Sequence, residues 1–466
     1  MVRARLGLLG SGTVGEAIQD IVFERWEEVR ARAGVELKIV KIYTPHPENK
    51  KWYRRYPDLF TASADDVTRN PEVDIVVEVL GTQDPSDLPR YRDYIVRALE
   101  NGKDVVTSDK AVLARFGAAI ADAVAHSRRE LRFEACVGGG IPIIRALAEG
   151  FAAEEPAAIF GIINGTCNFI LSGMAQANLS FGAALAEAQR LGYAETDPSA
   201  DTSGSDAEAK LVILAAVGFG AYAEPGAILR KGIEEIQPID FLYAGRKAGA
   251  TIKHLAMARR DNDRIEAMVA PFVVPLDHLA ARIDGATNAI FFGGRRSAGP
   301  AATLADARGG NWNYAFIGPG SGGGPTAVAV LGDVCDLARG RRHPLPQPLA
   351  RGRAAGLKFR PQDEIAAPFY LRFVVRDRPG IVGEICQVLG AERINVAEIW
   401  QLAHSADEIR QLAESYGVAA DPAWMLPFVI TLEQTTVGKV KRALGAISAR
   451  DFNLAPPLWL PIWKSP

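Results

Sequence analysis

Residues 6–15 read LGLLGSGTVG, a short apolar strand that runs directly into a turn with glycines at positions 10, 12 and 15. An amphipathic helix is predicted to follow, through about Arg32. This order gives the GxGxxG spacing its meaning, because the glycines permit a tight turn and the close approach of a pyrophosphate to the helix N-terminus. The pattern predicts a Rossmann-like dinucleotide site formed by Gly10, Ser11, Gly12, Thr13, Val14 and Gly15. A purely structural turn is the alternative.

Two further strands, near 73–81 and 104–110, are predicted in the same parallel sheet. In open α/β sheets, ligands bind at the carboxyl ends of the strands. We therefore expect Thr82, Thr107 and Lys110 to lie near the nicotinamide end of a bound dinucleotide. A solvated lysine at a strand end is the alternative for Lys110.

The second strand, predicted at 36–43, indicates the coenzyme. A site for NAD usually carries Asp or Glu at the end of this strand, where it accepts hydrogen bonds from the ribose hydroxyls. This chain has YTPH at 43–46 instead, and Lys50, Lys51, Arg54 and Arg55 follow. These cations could attract a 2′-phosphate, although a basic run is often only a solvated loop. The sequence favours NADP and leaves NAD possible.

A second group of charged side chains occupies residues 192–210, which read GYAETDPSADTSGSDAEAK. A proline and a glycine break the backbone, so Glu195 and Asp201 are expected on a loop, whereas Asp206 begins a predicted helix. Asp206 and Lys210 are four residues apart and therefore lie on one helix face. A carboxylate beside an ammonium can bind a polar substrate and position the lysine for proton transfer. A helix cap with a solvated ion pair is the alternative.

This pattern, GYAExDP followed by D and GxDxxxK, together with NGTCNFIL at 164–171, closely resembles the homoserine dehydrogenase family. The resemblance covers most of the first 340 residues, and its motifs are specific. It implies an NAD(P)-dependent oxidoreductase that interconverts L-homoserine and L-aspartate 4-semialdehyde. It implies catalytic roles for Lys210, Lys110 and Asp206, and substrate binding by Glu195, Asp201, Thr166, Gly165 and Tyr193.

Three residues depart from the family's usual pattern. Lys110 matches the lysine of its TANK motif, but Asp109 replaces the asparagine and places a possible negative charge beside that lysine. Cys167 and Phe169 replace the more usual threonine and tyrosine. Neither of these two changes removes a proposed catalytic group.

The stretch FEACVGGGIP at 133–142 is predicted to be a strand that enters a glycine-rich turn. A carboxylate and several backbone carbonyls suit a hard cation, although on the residues alone a tight turn explains the glycines. The resemblance implies a structural sodium or potassium ion here. Its ligands would be the side chain of Glu134 and the carbonyls of Val137, Gly139 and Ile141.

A second glycine-rich turn, GPGSGGGPT at 318–326, precedes a helix predicted to reach about Arg339. Gly320 and Thr326 are expected to meet the cofactor at the helix N-terminus. The resemblance implies that this helix returns to pack on the first domain, and a flexible hinge is the alternative. Residues 293–312 are an insertion of unknown purpose.

The C-terminal region is predicted to be a separate module. Residues 341–367 are rich in Pro, Ala and Arg and are typical of a linker. Strands near 369–375, 395–402, 428–433 and 458–462, with helices near 381–389 and 437–447, give a βαββαβ order. The DRPG turn at 377–380, with Asn395, Val396 and Gln401, resembles an ACT domain. That resemblance implies pairing between chains and an amino-acid effector, unless the extra helix within 404–424 blocks the ligand site. A dimerisation module without a ligand is the alternative.

The predicted fold class is therefore α/β with three domains. A Rossmann-like dinucleotide-binding domain spans 1–135 and is completed by 314–340. An α+β catalytic domain spans 136–313. The linker then leads to a ferredoxin-like ACT domain at 368–466.

Composition narrows the functional class. The chain has 466 residues, 48% hydrophobic and 23% charged, with a formal net charge of −2. Such a balance argues against nucleic acid as a partner, and no apolar run is long enough to span a membrane. Scattered cysteines and the lack of a secretory signal favour a cytoplasmic protein. We expect a homo-oligomer, either a dimer or a tetramer.

Two other functions remain open at this stage. The chain could be a dehydrogenase for a different amino-acid aldehyde, although a thiol-dependent acylating enzyme is disfavoured because no cysteine has a convincing nucleophilic setting. It could also be a catalytically silent sensor that binds NAD(P) and an amino acid, if Asp109 abolishes the chemistry.

Overall fold

The computed structural model describes residues 2–81, 84–294, 314–342, 356–417 and 424–463. Contacts divide the chain into two compact units. Unit 1 comprises residues 1–156, 209–225 and 316–357, and unit 2 comprises 157–208, 226–315 and 358–466.

The first sheet is parallel and contains the glycine turn. Its six strands lie side by side in the order Phe60–Thr61, Val35–Tyr43, Val2–Leu9, Ile75–Glu78, Asp104–Thr107 and Leu131–Arg132. This 3-2-1-4-5-6 order is that of the dinucleotide-binding fold, so the predicted Rossmann-like domain is confirmed. The longer helices of unit 1 are Thr13–Glu24, Trp26–Ala33, Leu88–Glu100, Lys110–Ser127 and Gly323–Ala338.

The prediction of one helix from the glycine turn to about Arg32 is wrong in one respect. It ends at Glu24, and a second helix begins at Trp26. The change of direction at Arg25 lets the indole of Trp26 enter the core, where its N–H donates to the carbonyl of Val35 at 3.2 Å. Burial of a large aromatic side chain therefore outweighs continuation of the helix.

The second sheet belongs mainly to unit 2. Its strands lie in the order Tyr314–Pro319, Thr287–Gly294, Pro156–Ile162, Ala250–Asp261, Arg264–Pro275 and Lys358–Phe359, with Leu229–Arg230 also paired to Arg264–Pro275. The two long strands form an antiparallel hairpin that is largely buried. The helices of unit 2 between these strands are Gly165–Ala177, Phe181–Arg190, Ser199–Thr202 and Pro238–Ala248, and the helix Ser205–Phe219 begins in unit 2 and continues into unit 1.

The third sheet has four antiparallel strands in the order Val396–Trp400, Met425–Thr436, Ala366–Arg376 and Leu458–Pro461. Numbered along the chain, this order is 2-3-1-4, as the predicted ferredoxin-like βαββαβ topology requires. Its helices are Ile381–Ala391 and Val437–Ser448, with the extra helix at Ala406–Ser415. The identification of this region as an ACT domain stays a prediction.

The predicted linker is not confirmed over 358–367, the part of it that lies in unit 2. Lys358–Phe359 pairs with the strand Arg264–Pro275, and Arg360 forms an ion pair of 2.9 Å with the nearly buried Glu266. This ion pair, together with the strand pairing, holds the segment on the second sheet.

The second and third sheets share one hydrophobic core. Phe160 and Met268 of the second sheet belong to the same buried cluster as Phe369 and Phe428 of the third. Trp463, near the C-terminus, lies 4.6 Å from the ring of Phe160. The C-terminal region is therefore not a separate module by its packing, contrary to the expectation. The proposed domain boundaries themselves stay predictions.

Within the described residues, the chain has no helix with the length and apolar character that a bilayer crossing requires.

Candidate active site

The glycine turn after the first strand has the shape that a dinucleotide needs. Gly10 has a φ of +113°, and a Cβ there would lie 2.6 Å from the carbonyl oxygen of Val79. A Cβ on Gly15 would lie 2.4 Å from the carbonyl oxygen of Gly10. Around Gly12, by contrast, a Cβ would meet no atom within 4 Å. Gly10 and Gly15 therefore allow the tight turn, and Gly12 leaves space for a ligand.

The Ser11 side chain in this turn is directed inwards. It is 2% exposed, and its hydroxyl accepts a hydrogen bond of 3.0 Å from the amide of Gln19. The same amide donates to the carbonyl of Gly15 at 2.8 Å. Gln19 thus supports the turn, a role that the sequence did not indicate because Gln is a common residue in helices. Contact of Ser11 with a cofactor is expected through its backbone.

Buried carboxyl groups lie where the next two strands end. Glu78 is fully buried, accepts from the hydroxyl of Thr107, and accepts from the backbone amide of Leu80 at 2.9 Å. Burial and the nearby charge of Asp109 raise the pKa of Glu78 to about 8. Thr82, which is also predicted to lie at this edge, is outside the described residues.

Asp109 caps the helix that Lys110 begins. Its carboxylate accepts from the backbone amides of Ala111 at 2.9 Å and Val112 at 3.1 Å. An asparagine carbonyl oxygen can make the same contacts, since Asp and Asn are comparably good at this position. The departure from the family motif therefore keeps the capping function.

Two of the four basic residues after the second strand have partners within the chain. Lys51 pairs with Asp20 at 2.7 Å, and the guanidinium of Arg55 lies 5.5 Å from the ring centre of Tyr56. Lys50 and Arg54 remain the better candidates for a 2′-phosphate.

The strand predicted to contain Glu134 is wrong: the strand of this region is Leu131–Arg132, and Glu134 begins a short 3-10 turn that ends at Cys136. Its carboxylate, 5% exposed, accepts from the backbone amides of Ile144 and Arg145, each at 2.9 Å. Burial and the charge of Asp333 raise the pKa of Glu134 to about 7.

The glycine-rich turns at 137–141 and 318–326, both in unit 1, contact each other through their backbones. Gly139 has a φ of +54°, and a Cβ there would lie 2.7 Å from the carbonyl carbon of Gly320. The helix that follows the second turn packs on the helix Thr13–Glu24, and a Cβ on its residue Gly323 would lie 2.9 Å from the carbonyl oxygen of Thr13. The buried Thr326 lies in its first turn.

In unit 2, Asn164 joins two of the predicted carboxylates. Its side-chain amide donates to Asp201 at 2.7 Å and to Asp206 at 2.9 Å. Its side-chain carbonyl accepts from the backbone amide of Cys167 at 2.8 Å and caps the helix Gly165–Ala177. Asn164 therefore holds two like charges next to each other. The sequence indicated it only as part of a motif.

The other predicted substrate residues lie at the start of that helix and on the turn after the next helix, Phe181–Arg190. The hydroxyl of Thr166 donates to the carbonyl of Tyr193 at 2.7 Å. A Cβ on Gly165 would lie 2.7 Å from the carbonyl oxygen of Ala286, so only glycine fits. Glu195 is exposed on the turn, and its carbonyl accepts from Gln189 at 3.1 Å.

The expectation that Asp201 lies on a loop is wrong. It lies in the one-turn helix Ser199–Thr202. The preceding Asp197 carboxylate accepts from the backbone amide of Ser199 at 3.0 Å, a local bond that favours a turn just before this helix.

Lys210 and Asp206 lie on the helix Ser205–Phe219, as predicted. Lys210 is 8% exposed. Asp206 belongs to unit 2, and Lys210 belongs to unit 1, as does Lys110. The convergence of the two lysines on a substrate oxygen stays a prediction.

Comparisons with known proteins agree with this arrangement. The model for the NAD-binding domain of homoserine dehydrogenase matches residues 10–134, and the model for homoserine dehydrogenase matches 142–335. A Pseudomonas aeruginosa homoserine dehydrogenase is 32% identical over 98% of this chain and 98% of its own length. One from Neisseria gonorrhoeae is 35% identical over 97% of this chain and 96% of its own. This chain belongs to the homoserine dehydrogenase family.

Solved structures also support this family membership. The crystal structure of a homoserine dehydrogenase from Thiobacillus denitrificans has a TM-score of 0.82 and 32% identity, over 99% of this chain and 98% of that chain. A hyperthermophilic archaeal homoserine dehydrogenase in complex with NADPH has a TM-score of 0.58 over 73% of this chain and 99% of that chain. At 24% identity, the archaeal structure shows similarity of fold alone. The protein is an NAD(P)-dependent oxidoreductase that acts on a CH–OH group.

Gly15→Ala is expected to weaken dinucleotide binding. The new Cβ would lie 2.4 Å from a backbone oxygen, and overpacking of this kind costs about 1–3 kcal/mol. If the turn opens to relieve it, Kd for the dinucleotide rises about tenfold to a hundredfold. Titration of NADPH fluorescence measures this. Gly182→Ala is the control, because a Cβ there meets no atom within 4 Å. An unchanged Kd in Gly15→Ala would contradict the assignment of the turn.

Glu78 is expected to make stability depend on pH. Its pKa lies at about 8 in the folded protein, above the ordinary 4.5. The folded state therefore binds the proton more tightly, and the free energy of unfolding falls as pH rises between these two values. Glu78→Gln should remove this part of the pH dependence in urea unfolding measured at several pH values, whereas the exposed control Glu100→Gln should not. A steeper decline in Glu78→Gln would show that the sign is wrong.

Proposed function

We propose that the protein interconverts L-homoserine and L-aspartate 4-semialdehyde, with Lys210 and Lys110 holding the substrate oxygen and moving its proton. A bound nicotinamide supplies or accepts the hydride. The observation that carries the proposal is the pair Asp201 and Asp206, held together by Asn164. One turn further along the same helix is the nearly buried Lys210.

The paired carboxylates are suited to the amino end of the substrate. Two carboxylates close together repel each other unless a cation or a donor neutralises them. The amide of Asn164 donates to both, and a substrate ammonium would add charge-assisted hydrogen bonds. Asp206 also orders Lys210, and Glu195, Thr166, Gly165 and Tyr193 complete the substrate site in this proposal.

The test is the reduction of NADP by L-homoserine, with L-serine and L-threonine as competing hydroxy amino acids. We expect turnover with L-homoserine and a preference of at least tenfold over the other two. Asp201→Asn should raise KM for L-homoserine, whereas Asp197→Asn, an exposed carboxylate of the same segment, should not. Equal rates with all three substrates, or no turnover, would contradict the proposal.

NADP is the proposed coenzyme, with NAD as the less efficient one. The support is the lack of an acidic residue at the end of the second strand, the cations Lys50 and Arg54, and the NADPH of the archaeal relative. Replacing both cations by Ala should raise KM for NADP about tenfold or more, since hydrogen bonds to charged groups contribute about 1.5–3 kcal/mol each, and leave KM for NAD unchanged. Lys51→Ala is the control, because Lys51 pairs with Asp20. A wild-type preference for NAD would overturn the assignment.

A sodium or potassium ion at Glu134, Val137, Gly139 and Ile141 is also proposed. The buried carboxylate of Glu134 is the one charged ligand, and a cation would offset the burial and the charge of Asp333 that raise its pKa. The carbonyl of Ile141 accepts from the amide of Ile143 at 2.8 Å and keeps a second lone pair. An ion there would hold the glycine turn that contacts Gly320.

For the C-terminal region we propose an ACT domain that responds to an amino acid, in a cytoplasmic homo-oligomer. The support is its sheet order and the DRPG turn.

Thiol-dependent acylation finds no support in the structure. Burial raises the pKa of Cys136, Cys335 and Cys386. The buried thiol of Cys167 donates to the carbonyl of Asp201 at 3.1 Å. A reactive cysteine requires the opposite, a lowered pKa and access to solvent.

A further inference from the structure

A buried histidine lies next to the start of the helix that carries Asp206 and Lys210. His254 lies on the strand Ala250–Asp261 and is 2% exposed. Its Nε2 is buried and has no hydrogen-bond partner among the described residues. A polar atom left unpaired in the interior costs about 1–3 kcal/mol. The position of this atom therefore needs a physical explanation.

The turn before the helix packs directly on the His254 ring. Gly204 has a φ of +83°, and a Cβ there would lie 3.3 Å from both Cε1 and Nε2 of His254. The same Cβ would lie 3.2 Å from Cγ1 of Val269, on the neighbouring strand. The carbonyl of Gly204 accepts from the backbone amide of Glu208 at 2.9 Å, as the first bond of the helix. The ring therefore lies against the turn from which the helix begins, two residues before Asp206.

Burial and a backbone hydrogen bond determine which tautomer His254 adopts. Burial lowers the pKa of His254 to about 4, so the ring is neutral near neutral pH. A hydrogen bond to the backbone of Lys231 opposes this shift, as expected when the ring donates to a carbonyl. Because Nε2 has no partner among the described residues, the donor is Nδ1. A neutral ring with its proton on Nδ1 keeps a lone pair on Nε2.

The carboxylate of Asp206 lies near this ring. Its negative charge also opposes the lowering of the pKa of His254. The carboxylate accepts from the amide of Asn164 at 2.9 Å. A carboxylate and an imidazole lone pair cannot bond to each other, since neither has a hydrogen. One water molecule has two hydrogens and can donate to both, and buried water usually serves polar groups of this kind.

We propose that His254 positions Asp206 through one buried water molecule, which donates to His254 Nε2 and to the Asp206 carboxylate. The bond from Nδ1 to the backbone of Lys231 holds the ring in place, and the contact with Gly204 sets its distance from the start of the helix. Asp206 then keeps one direction towards the ammonium group of the substrate. The inference rests on the function proposed above, because His254 acts on the substrate only through Asp206.

Two substitutions separate the two ring nitrogens. In His254→Asn the amide nitrogen takes the place of Nδ1 and keeps the donor to Lys231, but the acceptor at Nε2 is lost. In His254→Gln an amide oxygen lies near the position of Nε2, but the donor to Lys231 is lost. We expect kcat/KM for L-homoserine to fall about tenfold in His254→Asn, with KM for NADP unchanged, and less than about threefold in His254→Gln. The reverse order would show that the bond to Lys231, and so a merely structural role, is what matters.

His278→Asn is the matched control. His278 is also 2% exposed, and its Nε2 also lacks a partner within the described part of the chain. Its Nδ1 accepts from the backbone amide of Ala280 at 3.1 Å, a bond that the Asn oxygen can keep. Because His278 lies among aromatic rings such as that of Phe160, both kcat and KM should stay at their wild-type values. Thermal unfolding of all three variants checks that each one is folded.

A double-mutant cycle tests whether His254 acts through Asp206. If it does, the loss caused by His254→Asn should largely vanish in an Asp206→Asn background, since the carboxylate that it directs is gone. In an Asp197→Asn background, where an exposed carboxylate of the same segment is changed, the loss should keep its full size. Equal losses in the two backgrounds would overturn the proposal.

A high-resolution crystal structure of the full chain gives a readout that does not depend on activity. It should show one ordered water within about 2.7–3.2 Å of both His254 Nε2 and a carboxylate oxygen of Asp206. This water should be missing from His254→Asn. If the wild-type protein does not oxidise L-homoserine, the proposed function is wrong, whereas the water still decides the role of His254. A wild-type structure without this water would refute the inference.

Discussion

Lys210→Ala is expected to lower kcat by about a hundredfold to ten-thousandfold, the usual contribution of a positioned acid or base. The nearly buried Lys210 follows Asp206 by one turn on a fifteen-residue helix. Alanine is the best helix former, so the helix itself should persist. Affinity for the dinucleotide should change little, because the glycine turn is untouched.

Steady-state kinetics with L-homoserine, and fluorescence titration of NADPH, measure the two quantities separately. Lys210→Met is the second variant, because it keeps the volume and removes the charge, and its kcat should fall as far. The exposed Lys247, also on a helix, supplies the control Lys247→Ala. Near-normal turnover in both Lys210 variants would remove Lys210 from the proposed catalytic groups. Loss of dinucleotide binding would point to a structural role instead.

Arg372→Met is expected to destabilise the protein by about 3–5 kcal/mol, the usual cost of leaving one partner of a buried ion pair alone. Asp240 is fully buried and Arg372 is 2% exposed, and the two form an ion pair. Asp240 also accepts from the Tyr370 hydroxyl at 2.8 Å and from the backbone amide of Gln237 at 2.8 Å. Without the guanidinium, the carboxylate keeps only neutral donors.

Urea unfolding followed by tryptophan fluorescence measures the loss. The exposed pair Arg378 and Glu384, at 3.1 Å, supplies the control: Arg378→Met should cost less than about 1 kcal/mol. In a double-mutant cycle, Asp240→Asn combined with Arg372→Met should cost less than the sum of the single variants, since the unpaired charge disappears. Additive losses would show that the two side chains contribute independently.

The elements that could be predicted from the sequence depend on neighbours along the chain. The glycine turn, the helix with Asp206 and Lys210, and the βαββαβ order all follow from local spacing. The link from Asn164 to Asp201 and Asp206 joins residues 37 and 42 positions apart. No local pattern indicates such a contact, and the same holds for Asp240 and Arg372, which are 132 positions apart.

Composition also gave a wrong prediction for part of the linker at 341–367. A stretch rich in Pro, Ala and Arg usually has too few apolar residues to join a core. Within it, however, Arg360 forms an ion pair with the nearly buried Glu266. Residues 358–359 pair with a strand of the second sheet. The error came from interpreting the segment by its average composition rather than by individual residues with distant partners, such as Arg360 and Gln362.

The common core of the second and third sheets limits how this enzyme could be shortened or recombined. Phe369 and Phe428 are fully or almost fully buried, in the same cluster as Phe160. Cutting the chain before residue 358 would expose apolar surface on each fragment, and large exposed apolar patches promote aggregation. A chimera that exchanges the tail must therefore exchange the matching face of the second sheet with it.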